Sequence, residues 1–100
     1  NAWSFTGGLA GVENNGLWGF INKTGGIQVP LRYSQVNNFS NGLACVERNG
    51  KYGFIDKNGR EVIDMLYDAA KPFNGSTARV FTNGKWIFIN KSGKCVRDCN

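Results

Sequence analysis

The chain has 100 residues, about one domain's worth, with 12 Lys and Arg against 7 Asp and Glu for a formal charge of +5. It has no His and only 3 Cys, which excludes a Ser-His-Asp triad, a His-ligated or four-thiolate zinc site, and a self-contained disulfide scaffold. Apolar residues make up 41% of it, enough for a core, and no apolar run approaches the ~20 residues of a membrane span, so membrane insertion is not expected.

The chain opens Asn1-Ala2-Trp3. There is no basic run and no apolar h-region, so the start reads as a processed chain or an excised fragment without a signal peptide. An offset of 34 residues then organises everything that follows. Phe5, Phe39 and Phe73 are 34 apart, as are Ala10, Ala44 and Ala78, and Val12, Val46 and Val80. The same spacing relates Asn15-Gly16, Asn49-Gly50 and Asn83-Gly84, then Phe20-Ile21, Phe54-Ile55 and Phe88-Ile89. Lys23, Lys57 and Lys91, with Gly25, Gly59 and Gly93, complete nine positions identical in all three copies. The domain is therefore a single repeat domain over 1–100, with units at about 5–38, 39–72 and 73–100, and with 1–4 completing a preceding unit.

The second copy shows the elements in order. Residues 43–48 read as a strand. Asn49-Gly50 is a type I′ hairpin signal, because that turn needs φ > 0 at both central residues. Residues 51–55 are a second strand. Residues 56–59 form a second turn, with Gly59 suited to the left-handed position of a type I turn followed by a bulge. Residues 60–63 are a short third strand, and 67–70 are a fourth short strand or a linker. Nothing has a sustained helical period. The expected fold is all-β: three tandem antiparallel β-meanders, propeller-like or β-solenoid-like.

A two-residue loop at Asn49-Gly50 sets the register. Glu47 faces Tyr52, Val46 faces Gly53, Cys45 faces Phe54 and Ala44 faces Ile55. Alternation then puts Ala44, Val46, Gly53 and Ile55 on one face, and Leu43, Cys45, Glu47, Tyr52 and Phe54 on the other. Both faces are apolar, so each meander is expected to pack on both sides. The third copy departs from the other two. Ile87 stands where they have Gly19 and Gly53, Phe81 where they have Glu13 and Glu47, and Thr77 where they have Leu9 and Leu43. Phe81 and Ile87 are assembly candidates on that basis.

The run Phe39-Ser40-Asn41-Gly42-Leu43-Ala44, with Asn49-Gly50-Lys51-Tyr52-Gly53-Phe54-Ile55-Asp56, Gly59-Arg60-Glu61-Val62-Ile63 and Tyr67-Asp68, resembles the WG-repeat family. The Trp-Gly pair that names the family is Trp18-Gly19 in the first copy, Tyr52-Gly53 in the second and Trp86-Ile87 in the third. The resemblance implies a β-rich tandem repeat of binding or assembly modules with no common catalytic site.

The aromatic column Trp18, Tyr52 and Trp86, with Glu13 and Glu47 opposite the first two, could stack on and hydrogen-bond sugar rings, or could be inter-repeat core. Lys23, Lys57 and Lys91 could track phosphates or be solvated turn residues; the spread of the lysines argues against nucleic acid as a partner. Asn22, Asp56 and Asn90 read as caps of their own turns. No carboxylate pair stands out, so the chain is expected not to be an enzyme and to use no cofactor and no metal. Asn22, Asn38, Asn74 and Asn90 fit the glycosylation sequon. Cys95 and Cys99 could form a local bridge, which would imply an oxidising compartment and leave Cys45 buried or intermolecular; three reduced thiols are the equal alternative. The leading expectation is a secreted or cell-surface, non-enzymatic module for self-assembly or protein–protein interaction, forming an oligomer or fibre with itself or docking another protein. The alternative is a lectin-like carbohydrate-binding module with one shallow aromatic site per repeat.

Overall fold

A computed structural model describes residues 8–37 and 39–99. Phe5 of the repeat and the sequon at Asn38 lie outside the described residues. The protein is all-β. Strands β1 (Leu9–Asn14), β2 (Leu17–Asn22) and β3 (Ile27–Tyr33) form the first sheet. The second comprises β4 (Gln35–Val36), β5 (Ala44–Arg48), β6 (Lys51–Ile55) and β7 (Glu61–Tyr67). The third comprises β8 (Ala69–Ala70), β9 (Thr77–Thr82), β10 (Lys85–Asn90) and β11 (Cys95–Arg97). All neighbouring strands are antiparallel, and each sheet is a meander in chain order.

Local chemistry sets the turns. Asn49 and Gly50 have φ of 56° and 81°, and the pairs Asn15-Gly16 and Asn83-Gly84 repeat this, so all three are type I′ turns. The register follows: Glu47 lies opposite Tyr52, Val46 opposite Gly53, Cys45 opposite Phe54 and Ala44 opposite Ile55. At the second turn the Asp56 carboxylate accepts from Asn58 N and Arg60 N at 2.9 and 3.0 Å. Asn22 and Asn90 do the same in their own units. Gly59, at φ 84°, donates to Asp56 O at 3.0 Å.

The third strand of each of the first two units is longer than its composition suggests. β7 runs to Tyr67 rather than stopping near Ile63, and its register slips, so that Tyr52 pairs with Tyr67 while Phe54 pairs with Ile63. Asp64, Met65 and Leu66 therefore bulge opposite Gly53 alone. A Cβ on Gly53 would lie 2.5 Å from Ile63 O and 2.8 Å from Asp64 O. Gly19 is covered in the same way by the backbone of Val29, Pro30 and Leu31. The glycine after the aromatic residue is thus a site of close backbone approach. In the third unit β11 pairs with Phe88 and Ile89 and does not reach Trp86. Ile87 occupies the glycine position there.

The sheets are cut at a different point of the period from the sequence units. A single residue, Ser34, separates β3 from β4, and Asp68 alone separates β7 from β8. The short strand at Ala69–Ala70 is therefore the first strand of the following sheet, where Ala70 pairs with Val80. The second and third sheets thus each take their opening strand from the tail of the preceding repeat unit.

The sheets stack. Leu9, Phe20, Val29 and Tyr33 of the first sheet meet Val36, Ala44, Val46 and Ile55 of the second in one core, with Phe39 between them. Leu43, Cys45, Phe54 and Ile63 on the other face of the second sheet meet Ala78, Val80 and Ile89 of the third, with Phe73 between them. Both faces of the middle sheet are buried, as their apolar character requires. The larger, aromatic face of one sheet always meets the small face of the next. Phe39 is edge-on to Phe20 at 4.8 Å between ring centroids, and Phe73 to Phe54 at 4.9 Å. The stack is elongated, 44 × 25 × 19 Å.

Candidate interaction faces

Stacking splits the aromatic column. Trp18 packs against the first core and Tyr52 against the second, both half-buried. Trp86 sits on the outer face of the third sheet, which no further sheet covers among the described residues. Its ring lies 5.3 Å from that of Phe81. The column is one set of positions along the sequence, but only its third member lies on an end face.

Glu13 and Glu47 lie opposite Trp18 and Tyr52. Both carboxylates have local partners. Glu13 accepts from Gly16 N at 2.9 Å, and Glu47 accepts from the Ser34 hydroxyl at 3.1 Å. Trp18 also lines a cleft of about 310 Å³ with Ser34, Gln35, Val36 and Asn37, where the chain crosses from the first sheet to the second.

Phe81 and Ile87 fall on opposite faces of the third sheet. Phe81 pairs with Trp86 on the outer face. Ile87 pairs with Val80 and packs into the core between the second and third sheets. Strand alternation forces this separation, since the two residues do not share a register position. Ile87 is thus inter-sheet packing, and only Phe81 adds apolar bulk to the end.

Other residues have structural partners. Glu61 receives the Arg48 guanidinium and the Tyr33 hydroxyl, at 2.5 and 3.2 Å. The Arg48 hydrogen bond holds its carboxyl below the usual range. Burial, followed by the Glu61 charge, pushes the Tyr33 phenol up. Lys51 pairs with Asp68. Lys23, Lys57 and Lys91 are exposed at the tips of the second turns. Of the sequon residues, Asn22 and Asn90 are the half-buried turn caps, and Asn74 is exposed beside β9. Cys95 and Cys99 form a disulfide. Cys45 is a free thiol in the second core, and burial pushes its pKa up to about 12.

The two end faces differ. That of the first sheet presents Val12 and Ile21, half-buried, and Ile27, 64% exposed. That of the third carries Phe81, Trp86 and Phe88 together with two arginines, Arg79 and Arg97, that neither the identical columns of the repeat nor the sequence motifs mark. Arg79 lies 34 residues after the buried Cys45, and Arg97 34 after the buried Ile63. The signal was present: two core columns turn to arginine in the third copy. The Arg97 guanidinium lies 3.9 Å from the Phe88 ring centroid. Arg97 pairs with Phe88 across the sheet as Ile63 pairs with Phe54. Arg79 reaches both Trp86 and Phe88, at 5.2 and 5.8 Å, and Lys71 lies 5.7 Å from Trp86.

The family model of the WG containing repeat matches residues 1–18, 18–52 and 52–86. Its boundaries fall on the aromatic column, at Trp18, Tyr52 and Trp86. No curated protein and no solved structure matches the chain.

Proposed function

The chain belongs to the WG-repeat family, and from that premise we propose that it is a non-enzymatic module that binds another protein through the outer faces of its sheet stack. The observation that carries this reading is the pairing rule of the stack. Both faces of the middle sheet are covered by neighbouring sheets, while among the described residues no sheet lies over Val12, Ile21 and Ile27 at one end or over Phe81, Trp86 and Phe88 at the other. Contiguous apolar surface of this kind marks an interaction site. Several carboxylates have structural partners: Glu61 with Arg48, Asp68 with Lys51, Asp56 at its turn. This supports a non-catalytic role.

Self-assembly is the narrower version of this reading. Copies joined head to tail would lay the face bearing Val12, Ile21 and Ile27 over Arg79 and Arg97. That face offers no carboxylate among the described residues, and a buried unpaired guanidinium is costly. The end faces therefore favour a different protein over a second copy. The Cys95–Cys99 bridge supports an oxidising compartment, and so a secreted or cell-surface module.

A photo-crosslinking side chain at Phe81 or Val12, in cells that make the protein, tests the reading. Discrete adducts with one partner protein are expected from these positions, and none from the turn residue Lys57. Background labelling alone from both faces overturns it.

The cleft beside Trp18, with Ser34, Gln35 and Asn37 along it, supports carbohydrate binding as a second reading, at one place rather than one per repeat. Tryptophan fluorescence that stays unchanged across a panel of oligosaccharides removes it.

A further inference from the structure

We propose that the outer face of the third sheet is a docking site for an acidic segment of a partner protein, one in which carboxylates alternate with apolar side chains. This rests on the interaction-module reading and names the chemistry of the partner at one end.

A groove of about 370 Å³ crosses this sheet, lined by Lys71, Pro72, Asn74, Thr77, Arg79, Phe88 and Arg97. Three of these residues are cationic. None of the three pairs with a carboxylate among the described residues. Arg79 and Arg97 stand in the columns that hold Cys45 and Ile63 under the next sheet of the stack. A further sheet with an apolar small face would bury both guanidiniums without counter-charge, so the repeat's own packing cannot satisfy this face. An occupant that supplies carboxylates can.

The geometry suits that chemistry. A guanidinium lying over an aromatic ring keeps its N–H edge free for a carboxylate, and its planar fork accepts one in bidentate fashion. Arg97 and Arg79 both address Phe88, so two such forks flank one apolar ring. Trp86 and Phe81 beside them offer apolar area for the intervening side chains. Peptide is favoured over nucleic acid. Tracking a phosphate backbone needs a longer row of cations, and the periodic lysines Lys23, Lys57 and Lys91 lie at turn tips.

The test uses a fluorescent eight-residue peptide of alternating Glu and Leu, its Gln–Leu counterpart, and a single-stranded RNA of equal charge, titrated into the whole chain. Binding of the Glu peptide is expected, at least tenfold tighter than that of the Gln peptide or of the RNA, and weakening as salt rises. Arg79→Gln and Arg97→Gln are each expected to weaken it at least fivefold with the circular dichroism unchanged, since both side chains are exposed. The conservative Arg97→Lys keeps the charge but loses the fork and the stacking, and is expected to fall between wild type and Arg97→Gln. Equal binding of the Glu and Gln peptides, tighter binding of the RNA, no binding at all, or indifference to both arginine changes would overturn the proposal. If crosslinking at Phe81 still gives its partner adduct after such a result, the acidic segment fails and the interaction module stands. If crosslinking at both Phe81 and Val12 fails as well, the module reading fails with it.

Discussion

At the scale of single residues, the glycine of the family's Trp-Gly pair has a steric role. Gly53 lets the bulge at Asp64, Met65 and Leu66 pass over β6, and Gly19 does the same for Pro30 and Leu31. Gly53→Ala is expected to destabilise the protein by about 2–4 kcal/mol, because the obstacle is backbone and cannot rotate away. Urea unfolding measures this. A change below ~1 kcal/mol would show that the bulge moves freely. Cys45 gives a second test. Its thiol is held protonated by burial, with a pKa of about 12 against an ordinary value of 9.0. The unfolded chain releases that proton first, so this contribution to stability is intact below about pH 9 and is lost as pH climbs to about 12. Alkylation of Cys45 at pH 8 is expected to be slow in the native protein and to track unfolding. Rapid alkylation of folded protein would contradict the burial.

At the scale of the element, turns and register are legible in the residues alone. Asn-Gly pairs need no tertiary help to make type I′ turns, and a two-residue loop sets every opposition along β5 and β6. The Asx turns are equally local. Asp56→Ala removes the acceptor of two backbone N–H groups and is expected to cost about 1 kcal/mol. Asp56→Asn is expected to cost little, because Asn22 and Asn90 cap the equivalent turns. Chemical denaturation of the two variants checks the difference. The ends of β7 are less legible. Val62, Asp64 and Leu66 point outward along its exposed side, so its composition gives little hint that it continues past Ile63. It extends because Tyr67 pairs with Tyr52 and because Met65 reaches the first core. Both are tertiary events.

At the scale of the molecule, the stack is quasi-one-dimensional, and each sheet depends on its immediate neighbours. A perturbation at one end is therefore expected to stay near that end. The Cys95–Cys99 bridge closes a very short loop at the edge of the third sheet. Reducing it is expected to cost about 2 kcal/mol on loop-entropy grounds and to raise hydrogen exchange in β11. Amides in the first sheet are expected to hold their protection. Uniform loss of protection across all three sheets would show a tighter coupling than nearest-neighbour packing.

The sequence by itself determined the 34-residue period, the turn types, the hairpin register and the two apolar faces of the middle sheet. All of these rest on local interactions: backbone dihedrals at Asn-Gly, side-chain caps at Asx residues, and alternation along a strand. Only the tertiary structure decided which sheet each short strand joins, why a glycine must follow the aromatic residue, and which side of the third sheet is left uncovered. Those answers depend on what lies across a sheet or above it. Ala69–Ala70 joins the next sheet because Val80 and Phe81 pair with it there. Ile87 faces inward and Phe81 outward because the stack has a direction. The same direction turns Arg79 and Arg97, ordinary surface residues in one dimension, into a cationic cover over Phe88 where two earlier units have core.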